Sequence, residues 1–263
     1  MKLSFYMIDP SGNMTVIVET PVIRESQSRI ANMLMSRYPQ AEQVAFEEPP
    51  VHAGSDLAIR MMGGEFCGNA ALSAAALFMH RGGIPEKTSL RLEVSGAEKP
   101  LEAVIGQCGG IYSGTVEMPL PLSCSERELF CGGRAYRYPV VEFAGISHVI
   151  VAGGLSERDA EDCIRDWCAF LKADALGIIF REGDSIRPFV YVASTDTAVW
   201  ERSCASGTCA VAAFEAASSR ESTAIRLGQP GGILGAEAGY DGGIISLRLN
   251  NTARIVGHFE IET

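Results

Sequence analysis

Residues 3–20 read LSFYMIDPSGNMTVIVET, two apolar runs parted by Asp-Pro-Ser-Gly-Asn. Turn-forming residues between β-prone segments predict a hairpin. Ile30, Met33, Leu34 and Tyr38 then recur at helical spacing, which predicts an amphipathic helix ended by Pro39. EQVAFEEP (42–49) returns to extended structure and DLAIRMMG (56–63) reads as a further strand. A helix of small residues follows over 70–81, with Gly82, Gly83 and Pro85 as its stop. The second half repeats this plan: strands within 140–151, an amphipathic helix over 157–172, strands at 177–180 and 189–193, and a small-residue helix after Cys204. The fold class is therefore α/β with a weak internal repeat. The Pro-rich stretch VEMPLPLS (116–123) is the candidate crossover, giving halves 1–116 and 117–252, with the last strand, 253–263, a candidate to complete the first half.

Composition narrows the function classes. The chain has 263 residues, 47% of them hydrophobic and 21% charged, as in globular proteins. Its 22 basic and 32 acidic residues give a net charge of −10, which argues against nucleic-acid and anionic membrane partners and favours a small molecule. The start shows no basic stretch followed by a sustained apolar one, and no apolar run is long enough to span a bilayer, so the cytoplasm is the expected location.

Eight cysteines are too sparse for a disulfide scaffold, and none forms a C-x-x-C pair, so reduced thiols are expected. Two have unusual settings. Cys67 lies in GGEFCGNAALSAAALF and Cys204 in WERSCASGTCAVAAFEAA, each opening a small-residue helix. Helix N-termini carry unpaired N–H groups and the positive end of the dipole, which favour carboxylates and lower the pKa of a thiol placed there. Two such helices aimed at one point would grip an amino-acid carboxylate and set a thiol on each face of its α-carbon, an arrangement suited to stereoinversion. Cys209 and the cysteines at 108, 124, 131, 163 and 168 read as structural. His52, His80 and His258 read as solvent-facing or capping residues in turns or at element ends. CGGIYSGT and QPGGILG lack the spacing of a phosphate loop and read as turns. A zinc site from Cys67, Cys204 and His148 would lack a fourth ligand and a local chelating pair, so no metal is expected.

With GEFCGNA, SCASGT and PSGNM in order, the chain resembles the diaminopimelate epimerase and proline racemase superfamily. Through PSGNMT, EQVAF, GEFCGNA, VSG, HVIV, WERSCASGT and QPGG it is most similar to the histidine racemases of staphylopine-type metallophore pathways. The resemblance implies two pseudo-symmetric halves, each a barrel-like mixed sheet around a central helix, with the active site in the cleft between them. It implies racemisation of histidine without pyridoxal phosphate or any other cofactor, and a homodimer. Cys67 and Cys204 become the acid/base pair. Gly68, Asn69, Ala205 and Ser206 offer N–H groups to the carboxylate, Asn13, Glu42 and Gln43 line the substrate pocket, and His148 and Glu201 flank the thiols. Diaminopimelate epimerases carry an ERG-x-GET segment before the second cysteine, where only Glu201, Arg202 and Ser203 stand here. The shorter loop disfavours a distal-carboxylate site, although Arg202 keeps a diaminopimelate epimerase as the alternative. In the histidine racemase motif SCGSGT, Ala205 replaces a glycine. A non-catalytic amino-acid binder of the same fold is the second alternative.

Overall fold

The computed structural model describes residues 2–84 and 86–262, so the stop assigned to Pro85 lies outside the described residues. These form sixteen strands and four helices, divided between two compact units, Met1–Glu117 with Leu249–Thr263, and Met118–Arg248.

The first unit runs β1 (Lys2–Asp9), β2 (Thr15–Val18), α1 (Arg24–Arg37), β3 (Gln43–Glu48), β4 (Leu57–Met61), α2 (Gly68–Gly82), β5 (Thr88–Val94), β6 (Leu101–Cys108) and β7 (Ile111–Glu117). β1 and β2 form the expected antiparallel hairpin, in register from Phe5↔Val18 to Ile8↔Thr15. Its connection needs left-handed backbone at Ser11 (φ 54°) and Gly12 (φ 88°), and the Gly12 N–H donates to Asp9 Oδ1 at 2.5 Å. α1 buries Gln27, Ile30, Ala31 and Leu34, one stripe at helical spacing, against β3.

The second unit contains β8 (Ser123–Cys131), β9 (Arg134–Glu142), β10 (Ile146–Val151), α3 (Glu157–Leu171), β11 (Ala175–Glu182), β12 (Ser185–Val192), β13 (Thr197–Trp200), α4 (Ala205–Ser219), β14 (Thr223–Gln229), β15 (Gly232–Tyr240) and the start of β16 (Ile244–Glu262). β16 is longer than the strand expected at 253–263, and its later part belongs to the first unit. Both sequences expected to be turns are turns only in part: in CGGIYSGT, Gly109 and Gly110 connect β6 to β7, and in QPGGILG, Pro230 and Gly231 connect β14 to β15, the rest of each lying in strands.

The two units share one pairing scheme. In the first, β1–β2 is antiparallel, β2–β3 parallel, β3–β4 antiparallel, β4–β5 parallel and β5–β6 antiparallel. In the second, β9–β10, β10–β11, β11–β12, β12–β14 and β14–β15 follow the same order of senses. In the first unit β7 pairs with β16 and β16 pairs back to β1, so the hydrogen-bonded circuit closes. In the second, among the described residues, β8 pairs with β9 only.

Within each unit the helix that begins at a cysteine is the buried one. Ala70, Ala71, Leu72 and the run Ala74–Leu77 of α2 are at 0% exposure, as are Cys209 and Ala210–Ala213 of α4. A helix apolar on all sides belongs in an interior. Alanine gives it a narrow profile at no cost in helix propensity, so strands can pack close around it. The sheet dictates the small residues. Ala75→Leu should therefore overpack the first unit and lower its stability by about 1–3 kcal/mol, read as a lower midpoint in urea unfolding, with helix content unchanged by circular dichroism.

Candidate active site

Cys67 is the N-cap of α2, with extended backbone (φ −136°, ψ 116°), and its side chain caps none of the helix N–H groups. Its thiol instead donates to Gln43 Oε1 at 2.9 Å. Gln43 opens β3, next to Thr15 on parallel β2. Its Nε2 donates to Asn13 Oδ1 at 2.6 Å and to Thr15 Oγ1 at 2.7 Å, while Asn13 Nδ2 donates to Glu42 Oε2 at 2.6 Å. Four residues singled out in the sequence, Asn13, Glu42, Gln43 and Cys67, thus join one network. Gly68 and Asn69 form the first buried turn of α2, and Asn69 Oδ1 accepts from Asn251 Nδ2 at 3.1 Å.

The segment that delivers Cys67 is clamped by the VSG motif. Ser95 Oγ accepts from Met61 N at 2.8 Å and donates to the Glu65 carbonyl at 2.8 Å. Gly96 has φ +78°, and a Cβ on it would stand 2.3 Å from Phe66 N. Only glycine lets this turn lie against the backbone immediately before the thiol.

Cys204 is the N-cap of α4 (φ −122°, ψ 108°), and here the sulfur does cap, accepting from Gly207 N at 3.4 Å, with Ser206 Oγ 3.5 Å away. Gly207 eases the approach, since a Cβ there would press on Ile179 Cδ1 at 2.6 Å and the Cys204 sulfur at 3.3 Å. Gln229 Oε1 accepts from Cys204 N at 2.7 Å, Gln229 Nε2 donates to Thr208 Oγ1 at 2.8 Å, and Thr208 Oγ1 donates to the Cys204 carbonyl at 2.8 Å. The short 201–203 loop is anchored at both ends. Trp200 stacks on Phe189 (4.7 Å between centroids), Glu201 N donates to the Pro188 carbonyl at 3.0 Å, and Gly231 N donates to the Arg202 carbonyl at 2.7 Å. The Arg202 side chain is exposed.

The lowered thiol pKa expected at a helix mouth is not what Cys204 shows. Burial, and then the charge of Glu201, push this thiol well above its ordinary value, against smaller opposing effects from Ser206 and the Gly207 N–H. Desolvation of the thiolate outweighs the helix. Glu201 thus sits where it favours the protonated form. Ala205 is buried and Ser206 half-buried in the first turn of α4.

His148 lies on β10 opposite Gly177 of β11, fully buried, with no hydrogen-bond partner for either ring nitrogen and no bond to Cys204 among the described residues. A Cβ at Gly177 would fall 2.3 Å from His148 Nδ1, so the glycine makes room for the ring. Burial lowers the His148 pKa to about 3, and the ring is neutral at physiological pH. His80 fits the expectation of an exposed residue near a helix end, its Nδ1 lying 2.9 Å from Tyr112 Oη. His258 does not lie at an element end: it stands within β16, stacked on Tyr6 at 4.3 Å and paired with Glu19 at 2.7 Å. The sheet register places it there. Among the described residues no cluster of three metal-ligating side chains is present, no disulfide joins the cysteines, and no helix is long and apolar enough to cross a membrane.

Thr15, Gln229, Thr208 and Asn251 escaped the sequence reading. For Gln229 a signal existed, since it is the glutamine of QPGG, which belongs to the histidine racemase resemblance and reads as a turn, without a role for the glutamine itself. Asn251, 5% exposed, is fixed by Ser11 Oγ at 2.6 Å as well as by Asn69, contacts that no local pattern announces.

The fold is that of known racemases and epimerases. A hydroxyproline epimerase from Agrobacterium vitis superposes with a TM-score of 0.72 at 12% identity, covering 99% of this chain and 91% of that one. A PhzF-family phenazine biosynthesis protein from Bacillus anthracis gives a TM-score of 0.69 at 14% identity, covering 100% of both. Such identities establish architecture alone, whereas the sequence comparisons go further. The family described as "Histidine racemase CntK N-terminal domain" matches residues 2–260. A histidine racemase of Fusobacterium nucleatum is 30% identical over 226 residues, covering 80% of this chain and 79% of the relative. One from Staphylococcus aureus is 24% identical over 220 residues, covering 81% and 79%. The protein is thus an isomerase of the racemase and epimerase class. Within that class the chain belongs to the CntK histidine racemase family.

Gly96→Ala should displace Phe66 and with it Cys67, costing about 2–4 kcal/mol in denaturant unfolding and slowing turnover. His148 gives a pH prediction. Its folded pKa of about 3 lies below the ordinary 6.5, so between these values the unfolded chain binds the extra proton and stability falls on acidification. His148→Leu should flatten this dependence by up to about 1.4 kcal/mol per pH unit in urea titrations of both proteins between neutral pH and about pH 4.5.

Proposed function

We propose that the protein interconverts L- and D-histidine without a cofactor, with Cys67 and Cys204 as paired acid and base. One observation carries this reading: in a chain of the histidine racemase family, each of the two buried helices begins at a cysteine N-cap. A single base tends to return the α-proton to the face it came from, whereas two thiols allow inversion. One thiolate removes the α-proton, the electron pair delocalises into the carboxylate, and the other thiol protonates the opposite face. The charge building on the carboxylate is met by N–H groups of Gly68, Asn69, Ala205 and Ser206, preorganised by their helices.

Asn13, Glu42 and Gln43 are assigned to the substrate pocket, where the Glu42 carboxylate suits an imidazole N–H. Glu201 is the proton acceptor beside Cys204. His148, held neutral, acts near the thiol by shape and by its uncharged ring. The barrel-like form inferred for each half is supported by the closed pairing circuit of the first unit and by the burial of α2 and α4. A place in opine-type metallophore synthesis, and assembly as a homodimer, rest on the family resemblance.

The test is proton NMR of the reduced protein with L-histidine in D₂O, without pyridoxal phosphate and with diaminopimelate and proline alongside. The α-proton signal of histidine should disappear as the D-enantiomer forms, and Cys67→Ala or Cys204→Ala should slow this by about 10²–10⁴-fold. Exchange of diaminopimelate alone would overturn the substrate. No exchange with any of the three would point to an amino-acid binder.

A further inference from the structure

A primary amide has a donor end and an acceptor end, so a chain of amides transmits a direction. An ionised carboxylate only accepts, and Glu42 Oε2 accepts from Asn13 Nδ2 at 2.6 Å. That contact turns Asn13 Oδ1 toward Gln43, whose Nε2 donates to it at 2.6 Å. Thr15 enforces the same sense: its hydroxyl proton goes to the Asn13 carbonyl at 3.1 Å, and its oxygen accepts from Gln43 Nε2 at 2.7 Å. With both acceptors on its nitrogen side, Gln43 presents Oε1 to Cys67, 2.9 Å from the sulfur. An acceptor there stabilises S–H, whereas a thiolate would face a lone pair.

We propose that Glu42, Asn13 and Thr15 are positioning residues that act through Gln43 to hold Cys67 as a protonated thiol in the resting enzyme, a proton that must be released before Cys67 can act as a base. The consequence for catalysis rests on the two-thiol reading above, while the state of the thiol does not. Two charged groups lie along the segment that leads to Cys67. Arg60, on β4, reaches Gly64, and the Glu65 carboxylate folds back on Gly63. Substrate that engages Glu42 would loosen the relay at its origin and allow Gln43 to turn its N–H to the sulfur, which favours the thiolate that lets Cys67 act as a base.

The experiment is site-resolved alkylation. Substrate-free, reduced protein is treated with iodoacetamide from about pH 6 to about pH 10, and modification of Cys67 and Cys204 is followed by mass spectrometry. Asn13→Leu keeps the Glu42 charge and cuts the relay, so Cys67 alkylation near neutral pH should rise roughly tenfold, its profile moving down by about one pH unit. Thr15→Val, nearly isosteric and suited to its strand, should shift Cys67 the same way by less. Glu42→Gln, able to donate to Asn13, should do so too. Cys204 should not change, whereas a general loosening would expose both thiols. An unchanged Cys67 profile in Asn13→Leu and Thr15→Val overturns the proposal, as does a shift in Glu42→Gln alone, which would mean direct action of the charge. Wild-type exchange of the histidine α-proton, measured in parallel, separates the two ideas. A shifted profile without exchange leaves the relay standing and removes the racemase, and exchange with an unshifted profile does the reverse.

Discussion

Burying a whole helix inside a sheet is the constraint on which the other features depend. Such a helix must be narrow and apolar on every side, and α2 and α4 are both. Its backbone is satisfied along its length but not in its first turn, where the N–H groups need partners from outside the helix. Placing a cysteine at that point, with extended backbone, brings a reactive side chain beside a cluster of donors. The site is the polar remainder of a packing solution.

The two thiols are alike in position and different in electrostatics. The Cys67 sulfur turns away from its helix toward a side-chain acceptor, while the Cys204 sulfur caps its helix and lies beside a carboxylate in a nearly dry setting. Burial at Cys204 outweighs the helix end, because losing water costs a thiolate more than one long N–H contact returns. A repeated architecture has given two settings for the same chemical group.

Much of this was legible along the chain where the contacts are local. The hairpin around Ser11–Gly12, the stripe of α1, the small-residue helices and their cysteines follow from spacing within a few residues. Gln43 and Glu42 could be named through the EQVAF resemblance, but not the joining of Glu42 through Asn13 to Gln43 and of Gln43 to Cys67, which needs β2 and β3 laid side by side. Gln229 and Asn251 lay deeper: one reaches back from a turn to a helix start, the other comes from a strand far along the chain. His258 was misplaced for the same reason, since its neighbours Tyr6 and Glu19 are distant in sequence. Side chains that act across strands leave no periodicity of their own.

The length of β16 bears on how the protein is made. The strand serves the second unit first and then pairs with β1 in the first, bringing together residues as far apart as Ser4 and His258, 254 positions along the chain. During synthesis, the first unit therefore waits, with the edge of β1 unpaired, until β16 has left the ribosome. The second unit has most of its strands before that moment. An edge held open through translation invites pairing with another nascent chain, a hazard that closes once β16 covers β1.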